Sequence, residues 1–505
     1  MQSIMLALAF AGAAQANLPA ASSDDESAQA PVASQAAGDV GQDRDETPAT
    51  DPYPREAIGE GQVVGRLAST RWTEDWRAMA DQAKRDDFLD RLKFLPLSDD
   101  GEVYLTLSGE IRVRSDFLTN TGLVERPTER RDRLRLIGGA DLHLGPNVRL
   151  FAEIAHGGLD GRNLTTQQTN FKNDLVVQQA FAEVSGDIAG LEAGARYGRQ
   201  EFLDGSALLI GSRDFNTIRF VVNGLRTWVR GSRVRAGLFD FEFTELGAGG
   251  TSDDRSDDDT RFSGVNLGFV LPTDMFGGSK LYFDPFIWRL RQNDLTWGPQ
   301  IADDRRLYTG ARLWGSAGPI TVDWNANYQS GSFGDRDISA WQVFLSQTYR
   351  LGEDRTAPSV GLRFDYGSGG NGTSGTGTLR TATTPYGINA PFGYQITMTP
   401  TNLLAVTPGF NFQAFKNFSV NLEYQLSYRP EETDAVYRPI NRPYVGTDQV
   451  SGHKVADMIR MQTRWNITPR LFMGTRTEYT IARNVLTRAG YADSFFATAW
   501  LSYRF

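Results

Sequence analysis

The chain has 505 residues, of which 40% are hydrophobic and 11% aromatic, with no cysteine and a net charge of −9. That length suits two or three soluble domains or one large barrel, and the missing cysteines exclude disulfides. No run of about eighteen apolar residues follows the amino terminus, which excludes helical membrane spans. Residues 1–100 hold 18 acidic and 9 basic side chains, so the remainder is neutral overall and does not indicate a nucleic-acid partner.

The first 70 residues divide into two predicted segments. Residues 1–16 resemble a secretory signal peptide, because Ile4 to Ala14 is apolar and Ala14-Gln15-Ala16 offers a small-x-small cleavage pattern. Residues 17–70 are rich in Ala, Ser, Asp and Pro and hold few large apolar side chains. This composition predicts a disordered acidic linker.

Residues 71–100 have a different pattern. Large apolar side chains recur there at three- and four-residue steps: Trp72, Trp76, Met79, Phe88 and Leu92. This spacing predicts a short amphipathic helical segment, formed as one helix or two. Pro96 ends it, because proline cannot continue a helix.

From Val103 onward, apolar and polar residues alternate with a period of two, which predicts strands with one apolar face. In Ile320–Gln329 the even-numbered residues are apolar and the odd-numbered ones polar, and Phe418–Tyr428 alternates similarly. The last stretch, Phe495–Phe505, has an apolar face with an aromatic residue at both ends. Its length of about ten residues suits a tilted strand that crosses a bilayer.

Repetition of such segments over residues 101–505 predicts an all-β fold: a single transmembrane antiparallel β-barrel of about 16–18 strands. For the last strand alone, the alternative is the buried edge of a soluble sandwich. Aromatic residues near strand ends favour the barrel, because they are typical of membrane interfaces. The expected location is the outer membrane.

Two kinds of connection separate these strands. Leu144–Asn147 and Ile467–Arg470 are expected to be tight periplasmic turns. Gly247–Arg261 and Gly367–Thr399 are expected to be extracellular loops. The first loop offers a candidate calcium site, because hard cations bind clustered carboxylates, although a solvated acidic loop is the simpler interpretation. Its carboxylates are Asp253, Asp254, Asp257, Asp258 and Asp259.

Arginine recurs on the polar strand faces, which would face the lumen if the apolar faces contact lipid. A confined ladder of arginines attracts anions and binds carboxylates through paired hydrogen bonds. The alternative is that each arginine pairs with a lumen acid such as Glu153, Glu192 or Glu478 and braces the wall. The candidate substrate-binding residues are Arg112, Arg114, Arg133, Arg135, Arg149, Arg196, Arg199, Arg213, Arg460, Arg464 and Arg476.

Several motifs carry a resemblance to a known family. EDWRAMADQ at 74–82, LKFLPLSDD at 92–100 and YLTLSGEIRVR at 104–114 resemble the opening of the alginate export porin family. RYGRQEF at 196–202, LLIGSRDF at 208–215 and NGLR at 223–226 resemble its central signature. The resemblance implies an 18-stranded outer-membrane channel that passes a polyuronate through an arginine-lined constriction.

The predicted function is therefore passage of an alginate-like polyuronate or a related anionic solute, with a general anion-preferring porin as the alternative. The expected partners are outer-membrane lipid and lipopolysaccharide, the barrel-assembly machinery and periplasmic export components. No cofactor is expected. Catalysis is not expected either: Ser451 and His453 reverse the order seen in barrel phospholipases, and the scattered histidines, His143, His156 and His453, do not have zinc-ligand spacing.

Overall fold

The computed structural model describes residues 52–61, 67–165, 169–275 and 278–505. Eighteen long strands, here numbered in chain order, dominate these residues. They are β1 (Val103–Leu118), β2 (Glu129–Leu144), β3 (Val148–Arg162), β4 (Asn173–Ile188), β5 (Leu191–Gln200), β6 (Val222–Arg230), β7 (Val234–Glu245), β8 (Arg255–Val270), β9 (Ser279–Trp297), β10 (Gln300–Ala317), β11 (Ile320–Phe333), β12 (Arg336–Arg350), β13 (Ser359–Gly367), β14 (Leu403–Phe415), β15 (Phe418–Tyr428), β16 (Lys454–Asn466), β17 (Leu471–Ala482) and β18 (Ser494–Arg504). The only α-helix in the described residues is the short Asn484–Arg488.

The eighteen strands form one closed antiparallel barrel. Each strand pairs with the next, and β18 returns to pair with β1 from Glu110 opposite Arg504 to Leu118 opposite Phe496. Closure leaves no unpaired sheet edge, which is what a hydrocarbon environment requires. The predicted all-β barrel of 16–18 strands is confirmed.

Burial alternates along the strands as the period of two predicts. On β1, Ile111 and Val113 are 50% and 39% exposed, whereas the intervening Arg112 and Arg114 are 7% and 9% exposed. The apolar face therefore lies outside the barrel and the arginine face inside. Within the described residues, no helix is both long enough and apolar enough to cross a membrane.

The interior is filled by connections that fold inward from the end opposite the barrel's two termini. Residues 201–221, 368–402 and 429–453 contain many buried side chains, including Leu209, Phe392 and Tyr444. They join a core cluster with inward-facing aromatic residues of β7 to β9, such as Phe241 and Trp288. These inward-facing aromatic residues differ from the polar lumen face expected on several strands, because the infolded connections need an apolar surface against which to pack.

Part of the predicted disordered linker is ordered. The predicted signal peptide and most of residues 17–70 lie outside the described residues, but 52–61 and 67–70 pack inside the barrel near the short-turn end. Glu60 is 4% exposed and Ala68 is 1% exposed. The linker boundary at residue 70 is therefore wrong for these residues, because composition does not reveal ionic contacts with distant strands.

The predicted amphipathic helix over 71–100 is also corrected. The structure has four separate 3-10 turns there: Arg71–Thr73, Arg77–Ala80, Gln82–Lys84 and Phe88–Lys93. The first two turns are followed by Glu74 and Asp81, whose extended backbone angles prevent a continuous helix. The apolar periodicity is used only in part, since Trp76 and Met79 are buried whereas Phe88 is exposed.

Candidate functional site

Three arginine side chains meet at one carboxylate inside the barrel. Asp214, on the infolded connection 201–221, lies 3.0 Å from Arg112, 2.9 Å from Arg135 and 2.7 Å from Arg219. Arg112 and Arg135 come from the inward faces of β1 and β2 and also bind Glu110, at 2.9 and 2.7 Å. Burial raises the pKa of Asp214, but the three guanidinium groups outweigh it and hold that pKa well below its usual range.

The tip of the same connection remains partly accessible. Arg213, Asp214 and Phe215 are half-buried, whereas Ser212 and Asn216 on either side are buried. Arg213 has a positive φ of 54°, and the Asn216 N–H donates to the Arg213 carbonyl, so the tip is a tight turn. This turn presents one cation and one anion side by side.

Arg213 differs from the other predicted site residues in its partners. Its guanidinium lies 3.6 Å from the ring centre of Tyr386 and donates a 3.1 Å hydrogen bond to the Gly387 carbonyl. Within the described part of the chain, no carboxylate lies within ion-pair distance of Arg213. Arg213 is therefore a half-buried cation that forms no ion pair with the described carboxylates, although Asp214 is next to it in the chain.

A second cluster joins the amino-terminal segment to the barrel wall. The Glu60 carboxylate lies 3.0 Å from Arg196 of β5 and 2.5 Å from Arg226 of β6, and it accepts a 2.9 Å hydrogen bond from Trp72 Nε1. Burial raises the pKa of Glu60, but Arg196, Arg226, Arg230 and the Trp72 hydrogen bond outweigh it and lower the pKa to about 2. A carboxylate from outside the barrel strands thus forms ion pairs with two arginines of the barrel wall.

The remaining predicted arginines are also held in place. Arg114 and Arg133 share Asp116, at 2.5 and 2.6 Å, and Arg149 binds Asp141 at 2.6 Å. The others have partners that include these: Arg199 with Asn223 at 3.0 Å, Arg460 with the Pro391 carbonyl at 2.6 Å and Glu423 at 2.8 Å, Arg464 with Asn466 at 2.9 Å and Arg476 with Gln462 at 2.7 Å. The structure thus brings Arg112 and Arg135 together at Asp214, while Arg460 and Arg476 converge on the Tyr394 ring at 5.5 and 5.0 Å.

Sequence reasoning missed Glu60, Arg219 and Arg226 as site residues. Glu60 lay in a segment predicted to be disordered, and Arg219 lies in a connection where the period of two does not apply. Arg226 was within reach, because it ends the NGLR motif and shares the inward face of β6 with buried Trp228 and Arg230.

The candidate calcium site is not assembled. Asp257, Asp258 and Asp259 lie in β8 and not in a loop, and Asp253 accepts a hydrogen bond from the Gly249 N–H. Among the described residues, no group of three or more acidic or histidine side chains is arranged to hold a metal ion. The strand begins within the predicted loop because Arg255, Ser256 and Asp257 pair with β7.

The two residues weighed for catalysis contact other groups. His453 Nδ1 lies 2.8 Å from the Arg429 carbonyl and Nε2 lies 3.0 Å from Glu432. Ser451 Oγ accepts a 3.4 Å hydrogen bond from Arg488. These partners leave the histidine ring bound at both nitrogens.

Comparison with known proteins agrees with this architecture. Solved structures with the same fold include OccAB1 of Acinetobacter baumannii, at 11% identity and a TM-score of 0.52, with 82% of this chain and 99% of that chain covered. OpdK of Pseudomonas aeruginosa, solved with vanillate, has 10% identity and a TM-score of 0.51, covering 79% of this chain and 98% of that chain. At this identity the likeness shows the fold alone.

The sequence comparison is more specific. A search of curated proteins found no match. The sequence profile of the family described as "Alginate export" matches residues 103–487, which span β1 to the short helix before β18. The motif resemblance and the barrel therefore agree, and the chain is an outer-membrane β-barrel that belongs to the alginate export family.

Proposed function

We propose that the barrel is a channel that passes an anionic polysaccharide of the alginate-like polyuronate class, or a related anionic solute, across the outer membrane. The observation that carries the proposal is the convergence of Arg112, Arg135 and Arg219 on the Asp214 carboxylate. Guanidinium groups bind carboxylates through charge-assisted hydrogen bonds, and every uronate unit carries one carboxylate.

The internal ion pairs shape how such a channel works. An arginine that is paired with an acidic neighbour contributes little net field, so the paired arginines hold the wall and the connections in place. A polyuronate would instead contact the partly accessible tip, where Arg213 forms no ion pair with any described carboxylate and Asp214 is shared among three arginines. Exchange of the Asp214 carboxylate for a substrate carboxylate would conserve the number of ion pairs.

Planar-bilayer recordings of the purified full chain test this proposal. The wild type should be anion-selective by reversal potential, and polyuronate should block it more strongly than the monomeric uronate. Arg213→Gln should weaken the block by about tenfold or more, since hydrogen bonds to charged groups contribute about 1.5–3 kcal/mol. Asp214→Asn should increase the anion preference, because it removes one negative charge among three arginines.

The matched control is Arg130→Gln. Arg130 is an exposed arginine at the start of β2 that pairs with Asp132 at 3.0 Å, so its removal should leave block and selectivity unchanged. Equal block by the monomer and the polymer would favour the general anion-preferring porin. A cation-selective wild type would overturn both forms of the proposal.

A further inference from the structure

A group of arginines lies on the outer face of the barrel. Arg261 on β8, Arg289 and Arg291 on β9 and Arg305 on β10 are all exposed, and each alternates along its strand with a buried residue. The first three line a shallow cavity of about 330 Å³ together with Asp240 and Ser263. These side chains therefore face the surroundings of the barrel and not its interior.

The register places three of these arginines side by side. Arg291 is directly opposite Arg261 on one neighbouring strand and opposite Arg305 on the other. Like charges at directly opposed positions of a sheet destabilise the pairing. An arrangement of three in one row is therefore favoured when an anion binds between them.

The acidic neighbours neutralise this row only in part. Asp240 binds Arg261, with 2.8 Å between Oδ1 and Nε, and Asp303 lies 3.4 Å from Arg305. Within the described part of the chain, neither Arg289 nor Arg291 forms an ion pair or a hydrogen bond through its side chain. The two guanidinium groups lining the cavity beside Ser263 are thus available to a ligand.

The surface next to these arginines is apolar. Along the outer face of β9, exposed Phe283 and Ile287 lead directly to Arg289 and Arg291. On the neighbouring strands, exposed Val265 follows Arg261 and exposed Leu307 follows Arg305. In each strand the apolar side lies toward the end that holds the barrel's two termini, and the arginine side lies toward the end from which the connections 201–221, 368–402 and 429–453 fold inward. A lipid-facing band thus ends in a row of cations at the extracellular end of the barrel.

We infer that Arg261, Arg289, Arg291 and Arg305 form a binding site for the phosphorylated headgroup of an outer-leaflet glycolipid. Arginine suits phosphate because its planar fork donates two parallel hydrogen bonds. Acyl chains would lie along Ile287, Val265 and Leu307 while the phosphate lies in the cavity above them. This site is on the outer surface, so it is independent of the proposed transport function.

The experiment uses the full chain, purified and stripped of lipid in detergent, with bisphosphorylated lipid A as the probe and native mass spectrometry as the readout. The wild type should retain lipid A, and the double variant Arg289→Gln/Arg291→Gln should lose at least tenfold in affinity. Arg289→Lys/Arg291→Lys should bind lipid A more tightly than the double Gln variant but less tightly than the wild type, since lysine keeps the charge but not the planar fork. Arg130→Gln, an exposed arginine already paired with Asp132, should bind like the wild type.

Two further comparisons make the assignment specific. Heat-modifiable gel migration should be unchanged in every variant, because all substituted side chains are exposed. Lipid A without phosphate should bind at least tenfold more weakly than the bisphosphorylated form. Equal retention of lipid A by the double variant would overturn the site. Equally strong binding of inorganic phosphate alone would overturn its assignment to a lipid.

Discussion

Glu60 and Arg196 are 136 residues apart in the chain, yet Glu60 Oε2 lies 3.0 Å from Arg196 Nη1 inside the barrel. Arg226 binds the other oxygen of the same carboxylate. This contact ties the segment that precedes the barrel to the wall of the barrel. A second contact has the charges exchanged: Arg71 from the same segment lies 2.7 Å from both Glu110 and Glu153 of the barrel strands.

Glu60→Gln should loosen the amino-terminal segment. A buried charge left without any partner costs about 3–5 kcal/mol. The cost here should be smaller, because Arg196 still pairs with Glu183 and Arg226 with Asp204. We expect residues 52–100 to become accessible to limited proteolysis, with larger single-channel conductance and an intact barrel. Asp75→Asn is the control, since Asp75 pairs with Arg77, whose side chain is 64% exposed. Unchanged protection of the segment in the Glu60 variant would show that Glu60 does not hold it.

The stability of the Glu60 ion pairs should depend on pH. The pKa of Glu60 is lowered from its usual 4.5 to about 2, so its stabilising contribution is complete above pH 4.5 and is lost as the pH falls toward 2. Hydrogen-exchange mass spectrometry of residues 52–100 should therefore show constant protection from pH 8 to pH 5 and weaker protection below pH 4.5. In Glu60→Gln this step should be absent; the same step in both proteins would assign it to another group.

Phe505 should matter more for assembly than for stability. Its backbone exchanges two hydrogen bonds with Gly109 of β1, at 2.9 and 3.1 Å, and Phe505→Ser retains both. The lost half-buried ring costs only about 1 kcal/mol in detergent. Membrane fractionation should show reduced outer-membrane insertion, as expected if assembly recognises the aromatic residue that directly follows β18. Phe415→Ser, which removes an exposed ring at the end of β14, is the control. Equal insertion of both variants with the wild type would contradict the prediction.

Gly474→Val should destabilise the barrel. A Cβ at Gly474 would lie 2.1 Å from the buried ring of Trp500, which is its directly opposed neighbour on β18. Forcing the ring aside typically costs about 1–3 kcal/mol. Urea titration of the detergent-solubilised protein measures this loss. Gly250→Ala should be neutral, because no heavy atom lies within 4 Å of its added Cβ; an equally stable Gly474 variant would show that Trp500 moves freely.

The fold class and the range of residues that forms the barrel could be predicted from the sequence, because both depend on patterns within short segments. The period of two along β1 and β11 follows from one face contacting lipid and the other the interior, and this alternation is visible within each of these two strands alone. The strand count followed from the spacing of such segments. The family followed from the motifs over residues 74–114 and 196–226, and the profile match confirmed it.

The tertiary structure decided which charges meet. Arg112, Arg135 and Arg219 converge on Asp214 only because the connection 201–221 turns into the closed barrel. The same closure brings Glu60 to Arg196, so composition alone misplaced the end of the disordered linker. An ion pair depends on the distance between two atoms, and for residues more than a hundred positions apart that distance is set by barrel closure and core packing. The sequence by itself determined the alternation of apolar and polar residues in the barrel strands. The tertiary structure determined which arginines are neutralised by carboxylates from distant parts of the chain.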